Sequence, residues 1–148
     1  MALPGLTWGS MGQVTDRAMV QRWLACYEAA WRAPGTESLA SLFTAAATYL
    51  VSPYAQPVTG LDAIGRLWEA ERDGPGEVFT LVTDIVAVDG ETAVVRAEVR
   101  YGAPVQQEFR DLWIIRLDDG GRCAWFEEWY FSPPPSSAAG DRPEPVPD

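Results

Sequence analysis

The residues best suited to chemistry lie late in the chain. Between Phe109 and Leu117 alternate positions carry Phe109, Asp111, Trp113, Ile115 and Leu117, so in a strand Asp111 is a carboxylate within an otherwise apolar row. Burying that charge costs several kcal/mol, of order, unless it is paired or neutralised. Two readings follow. Asp111 is either a structural carboxylate satisfied by an arginine or backbone amides, or an acid or base whose pKa is raised in a cavity. Further on, Glu127 and Glu128 are adjacent, and in a regular strand only one of them faces inward. If Leu117 lies opposite Cys123 across the hairpin, that one is Glu127; a bulge puts Glu128 there instead. An inward glutamate near Asp111 makes a carboxyl pair able to share a proton.

Composition narrows the chemistry further. The 148 residues include no histidine and no lysine, and all eleven basic residues are arginine. Ser-His-Asp and Cys-His sites, histidine-containing zinc sites, Schiff bases and lysine phosphate loops are therefore excluded. General acids and bases must come from Asp, Glu, Tyr, Cys or the N-terminus. No cofactor and no metal site is expected. Cys26 and Cys123 lie far apart in apolar stretches and are expected as two buried thiols. The net charge of −10 argues against a nucleic-acid partner and against anionic lipid. No apolar run is long enough for a bilayer span, and Met1 to Gly12 lacks the pattern of a signal peptide, so a cytoplasmic protein without a membrane partner is expected.

The elements that must position these groups can be read from periodicity. Val20, Trp23, Leu24, Tyr27 and Trp31 recur at helical spacing, which predicts a helix from about Asp16 to Arg32 with Thr15 as N-cap, ended by Pro34 and Gly35. A short second helix carries Leu39, Leu42 and Phe43 on one face. Thr48 to Ser52 reads as a short strand, followed by a loop holding Pro53 and Pro57. Thr59 to Asp62 opens a third helix with Ile64, Leu67 and Trp68. After Gly76 the period becomes two. Strands are predicted over Phe79–Val88, Ala93–Tyr101, Phe109–Leu117 and Cys123–Phe131, with Asp89-Gly90 as one hairpin turn and residues 118–121 as another. Helices first and an antiparallel meander later give an α+β class. On the Ala93–Tyr101 strand, Arg96, Glu98 and Arg100 form a solvated face suited to cross-strand ion pairs. Residues 1–14 read as a flexible lead-in, 15–133 as one domain, and 134–148 as a disordered tail rich in Pro and acid. The aromatics Trp23, Tyr27, Tyr49, Trp68 and Trp113 fall on core faces, where they either pack or line a pocket for a flat or cyclic ligand.

Three stretches, VQRWLACYEAAW, LFTAAATYLVSPYAQPVTGLDAIGRLW and FRDLWIIRLDDGGRCAWFEEWYFSP, together resemble the SnoaL-like branch of the nuclear transport factor 2-like superfamily. The resemblance spans roughly Thr15 to Pro133. It implies a cone-shaped, strongly curved antiparallel sheet with three helices in its mouth, and a homodimer. It also implies a small-molecule pocket serving isomerase, cyclase, hydrolase or binding roles. Carried over by position, the ketosteroid isomerase set is mostly missing: its tyrosine falls at Trp23 and its base at Ser52, and only Asp111 matches an acid on a late strand. The Arg-x-Asp spacing of the related epoxide hydrolases is also absent, since Arg110 and Asp111 are adjacent and Arg96 and Glu98 lie on the polar face. The expected site is then Asp111 and Glu128 as the catalytic pair, with Trp23, Tyr27, Tyr49, Tyr54, Trp68, Trp113 and Glu127 around the ligand. Two functions stay open: a cofactor-free acid/base enzyme on an apolar or polycyclic molecule, or a non-catalytic ligand-binding or dimerisation module.

Overall fold

A computed structural model describes residues 15–72 and 76–134; the expected lead-in lies outside these residues, as does all of the expected tail beyond residue 134. Helix α1 (Arg17–Arg32) buries Val20, Trp23, Leu24, Tyr27 and Ala30 along one stripe. Its cap is Asp16 and not Thr15: the Asp16 carboxylate accepts the Met19 N–H at 2.8 Å, while buried Thr15 turns its hydroxyl toward the Glu91 carbonyl. A carboxylate is the stronger acceptor at the positive end of a helix. The helix stops at Ala33, extended because it precedes Pro34.

The expected second helix shrinks to one turn, α2 (Leu39–Leu42), and Phe43 opens strand β1 (Phe43–Leu50) instead of closing a helical face. Its alanines hid the strand from a reading based on β-branched content. A two-residue strand β2 (Val58–Thr59) pairs back onto β1, and Gly60, at φ 91°, makes the sharp turn into α3 (Leu61–Glu71). Its N-cap is Gly60, and no side chain caps α3. Arg72 fastens the end of α3 to the loop after α1, donating to the Ala33 and Gly35 carbonyls at 2.7 Å each.

The meander follows as read from the period of two: β3 (Phe79–Asp89), β4 (Thr92–Tyr101), β5 (Gln107–Leu117) and β6 (Cys123–Phe131). The sheet order is β2-β1-β6-β5-β4-β3, with one parallel pairing, β1 with β6, which no hairpin signal could indicate. The inner face of this sheet and the helices enclose one core, in which Phe43, Ile64, Trp68, Val95, Ile115 and Phe126 are almost wholly buried. On the outer face Arg96 pairs with Asp84, Arg100 with Glu108 and Arg110 with Glu98, at 3.3–3.9 Å. These pairs are exposed and add little stability. Cys123 is buried but Cys26 is exposed on α1, which corrects the expectation of two buried thiols. Among the described residues no helix is long and apolar enough to cross a membrane.

Candidate active site on the concave face of the sheet

The choice between Glu127 and Glu128 is made by one extra residue. Leu117 lies opposite Cys123, but Arg116 lies opposite Trp125, so Ala124 is bulged out of the β5–β6 ladder. Beyond that bulge Glu128 faces Trp113 on the concave side, and Glu127 faces Ile114 on the convex side. Glu127, expected at the pocket, is therefore on the other face, where it accepts the indole N–H groups of Trp125 and Trp129.

Asp111 and Trp113 are two residues apart on β5 and share a face, with Glu128 directly across from Trp113 on β6. The Trp113 indole N–H points between the two carboxyls, 3.1 Å from Glu128 Oε2 and 3.4 Å from Asp111 Oδ2. Among the described residues no arginine or backbone amide takes the remaining oxygen, and Asp111 Oδ1 is buried without a partner there. Burial raises the pKa of Asp111, offset in part by the proton of Glu128 and the N–H of Trp113. Glu128 is pushed up to about 9, first by burial and then by the charge of Asp111, with a smaller push from Glu71. Glu128 therefore keeps its proton at neutral pH and stands as an acid beside the Asp111 carboxyl.

Two phenols complete the polar groups. Tyr27 of α1 and Tyr49 of β1 place their hydroxyls 3.4 Å apart. Burial drives both pKa values up, so both stay protonated as donors. The Trp68 indole N–H lies toward the Tyr49 hydroxyl but makes no hydrogen bond. These groups line a cavity of about 360 Å³, with the rest of its wall supplied by Trp31, Val51, Leu67, Glu71, Phe79, Leu81, Val99, Tyr101, Phe109 and Tyr130. Of the expected site, Asp111, Glu128, Tyr27, Tyr49, Trp68 and Trp113 meet at this cavity. Trp23 does not. Its indole N–H donates to the Leu42 carbonyl at 2.9 Å in the core below, and Tyr27, one turn further along α1, takes the wall position. Tyr54 does not either; it is fully exposed in the loop after β1. Sequence reasoning missed Glu71, Trp31 and Tyr130 as wall residues. Tyr130 follows from the period of two once Glu128 is inward, and Trp31 follows from helical spacing after Tyr27.

The shared proton has a thermodynamic consequence. Glu128 binds its proton more tightly in the fold than its ordinary value of 4.5 allows. That contribution to stability is fully present below about 4.5 and is lost as pH rises toward about 9. Asp111 acts in the same direction. Cys123, pushed up to about 12 by burial, adds a loss only at higher pH. Stability measured by urea denaturation is expected to fall across this window, with a slope of up to ~1.4 kcal/mol per pH unit for one proton. Glu128→Gln should remove most of the slope. A flat profile for the unmodified protein would mean that no extra proton is held.

Residues 20–126 match the family model described as SnoaL-like domain. No significant match is found among curated proteins. Solved structures of similar fold include a protein of unknown function with a cystatin-like fold from Methylobium petroleophilum (17% identity, 91% of this chain and 99% of that one, TM-score 0.60). A steroid delta-isomerase from Pseudomonas aeruginosa is also similar (21% identity, 86% and 90%, TM-score 0.56). So is an LEH-like epoxide hydrolase from M. tuberculosis (12% identity, 77% and 84%, TM-score 0.57). At these identities the likeness carries the fold alone, and it agrees with the expected α+β class.

Proposed function

The chain belongs to the SnoaL-like domain family, and from that premise and the cavity's geometry we propose a cofactor-free acid/base enzyme acting on a small apolar or polycyclic molecule. The observation that carries this reading is a carboxyl pair held around one indole N–H on the wall of an aromatic cavity. In this reading Asp111 removes a proton from the bound molecule and Glu128 returns one to a second atom, so the pair ends with the proton count it began with. Tyr27, Tyr49 and Trp68 supply O–H and N–H donors for an oxygen that gains negative charge, from buried positions where such donors are most effective. Trp113 positions the pair and exchanges no proton. Isomerase, cyclase and hydrolase types of step all fit this inventory.

The test is a turnover screen of cyclic enones, ketones and epoxides with the unmodified protein and Asp111→Asn side by side. Turnover that disappears in the variant supports the reading. Binding of several of these compounds without turnover of any would overturn it in favour of a ligand-binding module.

We also propose a homodimer formed through the convex face of the sheet. Leu112, Trp129 and Phe131 are exposed there on adjoining strands, beside Arg96, Glu98, Arg100 and Arg110. A face with both charges around an apolar centre can pair with its own copy about a two-fold axis. Sedimentation velocity at micromolar concentration is expected to give twice the chain mass, and Trp129→Glu to give the single mass. A monomer before substitution would refute the pairing.

A further inference from the structure

Two buried polar atoms on the cavity wall lack partners, the acceptor Asp111 Oδ1 and the donor Trp68 Nε1. Asp111 is 5% exposed and Trp68 1%, so bulk water does not supply what they lack. The charge on the wall is also one-sided. Asp111, Glu128 and Glu71 line it, and among the described residues no arginine does. The nearby arginines are committed elsewhere: Arg32 to Glu28 and the Phe79 carbonyl, Arg72 to Glu69 and the carbonyls of Ala33 and Gly35. Most of the remaining wall is aromatic, and aromatic faces attract cations.

An anionic ligand would meet carboxyls with no countercharge, and a purely apolar one would leave Asp111 Oδ1 buried and unsatisfied. We infer that the cavity takes a molecule bearing an ammonium group on an apolar ring body, with the ammonium donating to Asp111 Oδ1 and the Trp68 N–H donating to an acceptor on the same molecule. The inference rests on the cavity being the ligand site, as proposed above, and narrows the class of ligand. A cation at Asp111 offsets part of the charge that holds the proton on Glu128, so binding of the amine releases a fraction of a proton near neutral pH, and Glu128 otherwise stays an acid.

Three probes of one shape test it: naphthylethylamine, naphthylethanol and naphthylacetate, titrated calorimetrically into the full chain at about pH 7 in two buffers of different ionisation enthalpy. The amine is expected to bind at least about tenfold more tightly than the alcohol, a difference near 1.4 kcal/mol, with the acid weakest and with proton release for the amine alone. Asp111→Asn should bring the amine and the alcohol close to equal. Glu71→Gln, an exposed change that leaves the core untouched, should weaken the amine about two- to threefold and leave the alcohol unchanged. An alcohol that binds as tightly as the amine overturns the cationic ligand and leaves the cavity reading standing. Failure of all three probes to bind overturns both.

Discussion

Asp111→Asn is expected to lower turnover by about 10²- to 10⁴-fold, the span that a positioned proton donor or acceptor contributes to a rate, and to leave the melting temperature unchanged or higher. The two effects separate because the side chain has two environments. Oδ2 accepts the Trp113 N–H, and an asparagine oxygen can accept the same bond, so the indole and the strand keep their places. Oδ1 has no partner, so the buried charge is a cost to the fold, and removing such a charge is neutral or stabilising. The chemistry fares differently. In the proposed mechanism the variant loses its base. Glu128 also holds its proton less firmly, because the charge of Asp111 is the second-largest cause keeping it there, after burial. Rates on any substrate found in the screen, together with a thermal melt of the same preparation, check both halves. Wild-type rates in a folded variant would remove Asp111 from the mechanism. Lost stability with no lost rate would make Asp111 a structural carboxylate.

The parts of this site legible in the sequence are those set by a local period. Asp111 stands out because its neighbours at i±2 are apolar, and its burial follows from the alternation of β5. The strand boundaries from β3 to β6 follow from the same period and from turn chemistry. The Glu127/Glu128 question was not decidable, because a bulge at Ala124 is a property of two strands in register and leaves no mark on either alone. Tyr54 and Trp23 show the complementary failure. Both are aromatics near the right elements, but the loop after β1 carries Tyr54 into solvent, while Trp23 satisfies its N–H one turn below the cavity. Long-range placement is also why β1 runs longer than its local signal indicates. Its parallel partner β6 begins 73 residues after β1 ends, and that pairing sustains a strand whose alanines give a weak local signal.

Phe126→Ala is expected to cost about 3–5 kcal/mol, a large share of the stability of an ordinary domain. The ring is fully buried and sits where four other aromatics converge. It stacks on Tyr49 with centroids 4.7 Å apart and on Tyr27 at 5.5 Å, and it tilts against Trp113 at 5.4 Å and Trp23 at 5.9 Å. Those neighbours come from α1, β1 and β5, so no single shift of one element can fill the space that alanine leaves, and the cavity term adds to the transfer term. The phenols whose hydroxyls meet at 3.4 Å both rest on this ring, and so does the indole that holds the carboxyl pair. Losing it therefore loosens both polar groups of the site at once. Urea denaturation should show a lower midpoint at an unchanged slope. Phe126→Leu, which restores much of the volume but no flat face, should recover part of the stability while leaving the tyrosine pair less well held. A loss below about 1 kcal/mol for alanine, outside the range for a large buried aromatic, would mean that the surrounding rings repack without Phe126 and that it does not hold the phenols and the indole in place.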